Sequence, residues 1–338
     1  MPEDIVVCDE WEAVARLCRE RGKRIVYVLG AADRGKTTFC RWIARELAAQ
    51  ARTGVLDCDI GQSTIGPPAT VGLAVCGPGS GAPVGVWLRF VGAVTPSGHM
   101  VQEMAGASRL KEKAFQEGAS FLVIDSPGWV VEPAAQEFQV RMIDLLQPDL
   151  VVGIQKGQEL EGILVNFRRH PRIGILELPV SPSAVERKRD WRRAYRHQRF
   201  TGYFEGAAPY TCGLAGIGVH GRMPDSFREE AWRDLLIALC DPEMMVVTLA
   251  LVDRLDLAQG TLSFRAPPHD RTRVASVHVG SLRVDLTNPP GRAEPGTHQP
   301  AAQPEPAPGG GGHAPPARAP PAPGGGGGQG QSVPGQSS

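Results

Sequence analysis

The chain has 338 residues, with 36 Lys or Arg against 36 Asp or Glu, so its formal net charge is zero. This balance excludes a polycation that binds nucleic acid through its overall charge, so any such contact must come from a local basic patch. Hydrophobic residues make up 42% of the chain, enough for a sizeable core. The length suggests about two domains.

The first half of the chain alternates between helical and strand-like segments. The apolar spacing predicts helices over residues 10–21 and 37–50. Short apolar runs bounded by turn residues predict strands at 24–29, 54–59, 121–125, 149–154 and 173–178. Strands that alternate with helices indicate an α/β fold with a mostly parallel sheet.

A glycine-rich loop lies between the first predicted strand and the second predicted helix. Gly30–Thr37 reads GAADRGKT and fits the pattern G-x-x-x-x-G-K-[ST]. In this pattern backbone N–H groups point at phosphate oxygens, Lys36 reaches the β and γ phosphates, and the Thr37 hydroxyl ligates Mg²⁺. The following helix directs its N-terminal dipole at the same anion. The sequence therefore predicts a nucleoside triphosphate site with Mg²⁺, a coincidental glycine turn being the weaker alternative.

Two predicted strands end in aspartate. The first continues into Asp57-Cys58-Asp59 and the second into Asp125-Ser126-Pro127-Gly128. In P-loop proteins one such aspartate holds Mg²⁺, and another can accept the proton of the acceptor hydroxyl. The second stretch also fits the D-x-x-G element of GTPases, although the chain has no guanine-reading N-K-x-D. A turn or helix N-cap role is the plain structural interpretation of Asp59.

A strongly basic stretch follows over residues 185–204. It holds seven Lys or Arg against two acids, and aromatic residues are interleaved with them. Arg192, Arg196 and Arg199 are spaced so that they share one face of a helix. Three interpretations stay open: a solvated surface helix, a lid that closes arginines over transferring phosphates, and a contact surface for a phosphate backbone.

After about residue 205 the chain becomes rich in glycine and in short β-like pieces, at 245–252, 260–265, 274–279 and 282–286. Gly280-Ser281 separates the last two pieces and predicts a hairpin. We therefore expect a first domain over residues 1–205 and a small β-rich C-terminal domain over residues 206–288.

The last 50 residues, 289–338, differ from the rest in composition. They contain 13 Pro and 13 Gly and no aromatic residue. A segment of this composition cannot bury enough apolar surface to offset its conformational entropy. The sequence therefore predicts a disordered tail.

Cysteine usage and the apolar runs indicate the cellular compartment of the protein. The seven cysteines form no C-x-x-C pair, and several lie inside apolar runs. This is typical of reduced, buried thiols in a cytoplasmic protein and gives little support to a zinc or iron–sulfur site. The N-terminus has no signal-peptide pattern, and the longest apolar run, residues 244–252, is too short to span a bilayer. We expect a soluble cytoplasmic protein without a membrane partner.

With these motifs in place, the sequence resembles the polynucleotide 5′-hydroxyl kinases. This family includes the kinase subunit of the eukaryotic pre-mRNA cleavage factor, ribosomal-RNA-processing kinases, and archaeal and bacterial relatives. Four stretches carry the resemblance in the family's order: the P-loop at 30–38, the D-x-D-x-G-Q motif at 57–62, the clasp motif at 126–129, and the lid motif R-x-x-x-R at Arg192 and Arg196. The resemblance covers residues 11–205 and, more weakly, 206–288.

The resemblance implies transfer of the γ-phosphate of ATP to the 5′-hydroxyl end of RNA or DNA. The implied catalytic residues are Lys36, Asp59, Arg192 and Arg196, with Asp59 as the general base. ATP would lie on Gly30, Ala31, Ala32, Asp33, Arg34, Gly35, Lys36, Thr37 and Thr38, and Mg²⁺ on Thr37 and Asp59. The acceptor end would contact Gln62, Ser126, Gly128, Trp129 and Arg187, with the Trp129 ring stacked on the terminal base.

The chain departs from the family pattern at the clasp, where Asp125-Ser126 replaces the usual Asn-Thr. Ser126 keeps a hydroxyl, whereas Asp125 adds a negative charge near the metal or makes the chain more similar to a GTPase. This departure keeps two alternatives open. One is an ATP-binding scaffold or switch protein of RNA processing with weak catalysis, and the other is a GTPase.

Overall fold

The computed structural model describes residues 7, 9–79, 82–182 and 184–287. Two β-sheets are present, and both belong to one compact unit. The tail predicted over residues 289–338 lies outside the described residues, so its disorder stays a prediction. The domain boundary expected between residues 205 and 206 also stays a prediction.

The first sheet contains the predicted parallel core. Its strands are β1 Ile25–Leu29, β2 Thr53–Asp57, β3 Thr70–Cys76, β4 Pro83–Phe90, β5 Phe121–Asp125, β6 Leu150–Gln155 and β7 Gly174–Pro179. They are ordered β4-β3-β2-β5-β1-β6-β7. Strands β2, β5, β1, β6 and β7 run parallel, and β3 and β4 join antiparallel at one edge. The expected α/β fold with a mostly parallel sheet is confirmed.

Helices cover both faces of this sheet. They are α1 Asp9–Arg21, α2 Lys36–Ala48, α3 Met100–Gln116, α4 Pro133–Leu146, α5 Glu161–Leu164 and α6 Arg189–Tyr203. Helices α1 and α2 pack with Val26 and Val28 of β1, and α3 and α4 pack with Tyr27 and Leu29. Successive side chains of a strand point to opposite faces, so β1 is apolar throughout because both its faces are buried. Within the described ranges, no helix is long and apolar enough to cross a membrane.

The elements predicted in the first half lie within two residues of their observed bounds, but the sequence did not predict the helices α3, α4 and α5 or the strands β3 and β4. Strand β4 forms the edge of the sheet, and its Val84 and Val86 are 58% and 51% exposed. Exposed valines on an edge strand hide the alternation of apolar and polar residues that identifies a strand buried on one face.

The second sheet is built from the C-terminal part of the chain. Its strands are β8 Ala208–Gly213, β9 Gly218–Gly221, β10 Leu235–Cys240, β11 Val246–Asp256, β12 Thr261–Ala266 and β13 Ser276–Arg283. They are ordered β8-β12-β11-β10-β13-β9, with β9 parallel to β13 and the other pairs antiparallel. A short helix, α7 Glu229–Trp232, precedes β10. The expected β-rich second part is confirmed.

The hairpin predicted at Gly280-Ser281 is wrong. Strand β13 runs through both residues, and its register against β10 shifts between Leu235 and Ile237, which marks a bulge and not a turn. A Cβ on Gly280 would lie 2.9 Å from the Cα of Gly92, in the segment between β4 and α3. The glycine is therefore needed for a close approach of two backbones.

Helix α6 is fixed at its C-terminal end by the second sheet. Phe200 and Phe204 are buried in a cluster with Leu249 of β11. The Tyr203 hydroxyl accepts a hydrogen bond from the Leu249 N–H at 2.9 Å. This packing determines where the arginine-bearing turns of α6 lie.

Candidate active site

The predicted P-loop joins the end of β1 to the start of α2. Gly35 lies directly before the helix with φ of 88°, and Asp33 also has a left-handed φ, of 63°. No side chain caps α2 among the described residues, so its first N–H groups remain available to an anion. A Cβ on Gly30 would lie 2.6 Å from the Ile154 carbonyl oxygen. The loop thus has the conformation and the open helix end that a phosphate group requires.

The two basic side chains of the loop have different surroundings. Lys36 is buried, and its Nζ donates to the Ala31 carbonyl oxygen at 3.0 Å, so the side chain folds back along the loop. Arg34 donates to both carboxylate oxygens of Glu159, at 2.8 and 3.0 Å. Because that guanidinium is already paired, only the backbone of Arg34 is available to a nucleotide.

At the end of β5, Asp125 lies beside Thr37. The Thr37 hydroxyl donates to Oδ2 of Asp125 at 2.6 Å, and Oδ1 is buried with no hydrogen-bond partner among the described residues. Burial raises the pKa of Asp125 to about 6, against the lowering effects of the Lys36 charge and the Thr37 hydrogen bond. A hydroxyl beside a carboxylate with an unused oxygen fits a hydrated Mg²⁺ that also binds phosphates.

The described residues contain no group of three or more His, Cys, Asp or Glu side chains that could hold a metal ion. Mg²⁺ at this site would therefore depend on water and on phosphate oxygens for most of its ligands. The structure places Asp125 against Thr37, and the Mg²⁺ role of Asp59 stays a prediction.

Asp57, the last residue of β2, fixes the loop that follows it. Its Oδ2 accepts hydrogen bonds from the N–H groups of Thr64 and Ile65 and from the Thr64 hydroxyl. Burial, and then the neighbouring Asp125, raise the pKa of Asp57 to about 7. Because the Asp57 carboxylate already accepts these hydrogen bonds from the loop, its role is structural.

Asp59 is less buried than Asp57, and only one of its two carboxylate oxygens accepts hydrogen bonds among the described residues. Its Oδ1 accepts hydrogen bonds from the N–H groups of Gly61 and Gln62, at 3.1 and 2.9 Å. This is the turn role that the plain structural interpretation gave it. Its Oδ2 has no hydrogen bond within the described ranges, so one oxygen orients the carboxylate and the other remains available. The Gln62 Oε1 is buried and also lacks a partner among these residues.

The clasp residues lie against the P-loop. A Cβ on Gly128 would lie 2.7 Å from the backbone N and Cα of Ala32, so this contact requires glycine. Trp129 is half-buried and packs on Phe138 with the ring centroids 6.0 Å apart. Ser126 is fully buried, so its hydroxyl lies inside the core and not on the surface that a 5′-hydroxyl end would contact.

Helix α6 spans the site. Arg192 Nη2 donates to Oδ2 of Asp33 in the P-loop at 2.6 Å. Almost one turn later, the Tyr195 hydroxyl donates to the Ser63 carbonyl oxygen at 2.8 Å. Ser63 belongs to the loop that begins with Asp59, so α6 connects the P-loop with this loop. A free, solvated surface helix would not make these contacts.

Arg196 directly follows Tyr195 and lies about one helical turn after Arg192. Burial, and then the nearby Arg193 and Arg192, lower its pKa, whereas Asp59 raises it. Within the described ranges it has no hydrogen bond or ion pair, so it is available to an anion. The Arg187 guanidinium lies 4.4 Å from the centre of the neighbouring Trp191 ring.

Glu103 of α3 is a buried acid that the sequence interpretation missed. Its side chain is fully buried, and neither carboxylate oxygen has a hydrogen-bond partner among the described residues. Burial, together with Asp59 and Asp57, raises its pKa well above the usual range. The signal in the sequence is its spacing, because Glu103 shares the buried face of α3 with Ala107 and Leu110.

A glycine-rich loop between β1 and α2 of a mostly parallel sheet, with Thr37 and Asp125 side by side, defines a P-loop nucleotide-binding protein. Residues 30–206 match the family described as mRNA cleavage and polyadenylation factor CLP1 P-loop. The match spans more than half of the chain, and the chain belongs to this family.

Relatives extend this comparison. The chain is 30% identical over 217 residues to a polyribonucleotide 5′-hydroxyl-kinase of Pyrococcus furiosus, an alignment that covers 63% of this chain and 60% of that protein. It is 25% identical over 310 residues to the corresponding kinase of Thermococcus kodakarensis, covering 76% and 87%. The solved structure of a wild-type Clp1p–Pcf11p complex has a TM-score of 0.63 at 12% identity, covering 81% of this chain and 78% of that one, which shows a shared fold. The chain thus spans about 60% of the length of the first relatives it matches.

Proposed function

We propose that this protein is an ATP-dependent polynucleotide 5′-hydroxyl kinase that phosphorylates the 5′ ends of RNA or DNA. The position of α6 carries the proposal, because the helix is bonded to the P-loop at Asp33 and to the loop of Asp59 at Ser63. A donor-phosphate site and a candidate acceptor base therefore lie under one arginine-bearing helix. Family membership and the names of the archaeal relatives support the same activity.

On the donor side, the backbone of residues 30–38 would hold the triphosphate, and Lys36 would bind its β and γ phosphates. Mg²⁺, when bound, would neutralise charge on the phosphate oxygens. Thr37 and Asp125 would hold this ion, with Asp59 as a further candidate ligand. The fit rests on the buried Oδ1 of Asp125, which has no hydrogen-bond partner among the described residues.

On the acceptor side, Oδ2 of Asp59 would take the proton of the 5′-hydroxyl. The hydroxyl oxygen would form a bond to the γ-phosphorus while the bond from that phosphorus to the β–γ bridging oxygen breaks, and ADP would leave. The N–H groups of Gly61 and Gln62 hold the carboxylate in one orientation through Oδ1. A positioned base of this kind contributes about 10²–10⁴-fold in rate. Trp129 would stack on the terminal base, a contact worth about 1–3 kcal/mol with any base. Such a contact suits an enzyme that recognises an end and not a sequence.

The transferring phosphoryl group would lie under α6. Arg196 is unpaired in the described structure and would bind its oxygens, joined by Arg192 once that side chain leaves Asp33. Arginines in this role are worth about 10³–10⁵-fold in rate. Gln62, Gly128 and Arg187 would border the acceptor end. Ser126, being buried, would support the clasp from inside the core.

Two observations favour the other candidate functions. The Asp33–Arg192 contact keeps a lid arginine away from phosphate, as expected of a weakly catalytic ATP-binding scaffold. Asp125, which contacts the P-loop Thr37, begins a D-x-x-G stretch, as expected of a GTPase. The described cysteines, Cys18, Cys40, Cys58, Cys76, Cys212 and Cys240, are all free thiols, which supports a reducing, cytoplasmic setting.

The test is a transfer assay. The purified protein is incubated with Mg²⁺, γ-labelled ATP, and matched RNA and DNA oligonucleotides with free 5′-hydroxyl ends, with Lys36→Ala as the control. Label on an oligonucleotide in the wild type, and none in Lys36→Ala, supports the kinase and ranks RNA against DNA. ATP binding without transfer supports the scaffold, and preferential competition by GTP supports the GTPase.

A further inference from the structure

A groove runs alongside α6, beyond the residues assigned to catalysis. Its volume is about 660 Å³, within the range of about 300–1,000 Å³ that encloses a drug-sized ligand. The residues that line it include Gly66, Pro67, Leu88, Gln198, Arg199 and Tyr203. None of these residues has a role in the donor and acceptor sites described above.

Arg199 is the charged residue of the groove and is the only one among the described lining residues. Its Nη2 donates to the Gly66 carbonyl oxygen, and its Nε is buried without a hydrogen-bond partner in the described part of the chain. No carboxylate pairs with this guanidinium in the same part of the chain. A partly buried arginine without a counter-ion favours an anionic ligand.

The walls of the groove are largely apolar. Gly66 has a left-handed φ of 81°, and a Cβ there would lie 2.5 Å from Cδ2 of Leu88, so its bare backbone packs directly on that side chain. Pro67 and the Tyr203 ring add further apolar surface, and the Tyr203 hydroxyl is held by the Leu249 N–H. Apolar and aromatic surface beside one cation suits nucleobases that follow a phosphate backbone.

We propose that this groove binds the single-stranded polynucleotide on the 3′ side of its terminal nucleotide, with Arg199 on a backbone phosphate. The inference rests on the proposed kinase function, which places the 5′ end at Asp59. Arg192 lies at the P-loop, and Arg199 lies about 10 Å further along the axis of α6. The Tyr195–Ser63 contact lies between them. A strand whose 5′ end meets Asp59 therefore leaves the site through the groove.

Charge substitutions at Gln198 test the groove. Gln198 is exposed, lines the groove and makes no hydrogen bond within the described residues, so changing it removes no structural contact. Gln198→Glu should weaken the binding of a 5′-phosphorylated single-stranded oligoribonucleotide about tenfold, and Gln198→Lys should strengthen it. Binding of a single nucleoside 5′-phosphate should change far less, because it has no backbone beyond the first nucleotide. Fluorescence anisotropy with the full chain and no ATP measures both.

Arg199→Gln should weaken oligonucleotide binding in the same way and lower the slope of log affinity against log salt by about 0.7. Arg193→Gln is the matched control, since Arg193 is exposed on α6 outside the groove and its loss equals the charge change of Gln198→Glu. Equal weakening by Arg193→Gln and Gln198→Glu would overturn the proposal, because overall charge alone would then explain binding. The proposal would also be overturned if an acidic peptide of the same charge displaced the oligonucleotide as well as an unlabelled oligonucleotide does.

Phosphate transfer to a saturating oligonucleotide with a free 5′-hydroxyl end, measured in the wild type, separates this proposal from the proposed function. Absence of transfer together with oligonucleotide binding that follows the charge at position 198 would reject the kinase and support the groove. Transfer together with binding that ignores the charges at positions 198 and 199 would support the kinase and reject the groove.

Discussion

Arg192 of α6 lies 2.6 Å from Asp33 of the P-loop, and the Asp33 side chain is only 4% exposed. The same carboxylate oxygen also accepts the Arg187 N–H at 3.0 Å. Asp33 therefore holds both the segment that leads into α6 and the first arginine of the proposed lid. An arginine held in this way is positioned beside the triphosphate site, but it must leave the carboxylate before it can bind a phosphate.

Asp33→Asn should therefore change both ATP binding and turnover. Removing a negative charge beside the phosphates should tighten ATP binding, and kcat should rise about tenfold because Arg192 no longer has to break a charge-assisted hydrogen bond before it binds a phosphate. Calorimetric titration measures the affinity, and initial rates measure kcat. Asp190→Asn removes the same charge from the exposed first turn of α6 and is the control. An unchanged kcat in Asp33→Asn would show that the contact with Asp33 does not hold Arg192 back from the phosphates.

Asp59 and Asp57 should respond differently to the same substitution. Asp59→Asn should lower kcat by about 10²–10⁴-fold and leave the Tm near that of the wild type. The amide oxygen can still accept the backbone N–H groups that Oδ1 now accepts. Asp57→Asn should lower the Tm, because an amide cannot accept every hydrogen bond from Asp59, Thr64 and Ile65. Thermal melting and steady-state kinetics distinguish the two, and an equal loss of Tm would make Asp59 a structural residue.

Trp129→Ala should raise the KM for an oligonucleotide about tenfold, the loss expected for one stacked base. Trp129→Phe should retain most of the affinity, because an aromatic face remains. The ring also packs on Phe138, so melting curves of both variants are needed beside the kinetics. A lower Tm with an unchanged KM would assign Trp129 to the core alone.

The parts of the fold that the sequence predicts correctly are local. The β1–loop–α2 unit is specified by contiguous residues, and the spacing of the arginines specifies one face of α6. Strand β4 is missed because its exposed valines obscure the alternation of apolar residues. Gly280 is misread because a glycine that permits two backbones to approach has the same sequence signal as a turn.

The contacts that assemble the site join residues far apart in the chain. Thr37 and Asp125 are 88 positions apart, and Asp33 and Arg192 are 159 apart. Because β2 and β5 both end in aspartate, no local pattern decides which of them meets Thr37. The parallel pairing of β1 with β5 decides it, and pairing between distant strands is a property of the folded sheet.

The buried Glu103 should make the stability of the protein depend on pH. Its pKa is raised well above 4.5 by burial, so at pH values above 4.5 the native protein binds more protons at this group than the unfolded chain does. The free energy of unfolding should therefore fall as pH rises through that range. Glu103→Gln has a similar shape and needs no proton, so its Tm should exceed that of the wild type by an amount that grows with pH.

Glu112→Gln is the matched control, because Glu112 is exposed on the same helix. Thermal melting at a series of pH values above 4.5 should show a flatter dependence for Glu103→Gln and the wild-type dependence for Glu112→Gln. Parallel curves for the wild type and Glu103→Gln would contradict the prediction, because Glu103 would then titrate alike in the folded and unfolded chains. A buried acid without hydrogen-bond partners among the described residues can remain in the core only if it keeps its proton, so the curves test that requirement directly.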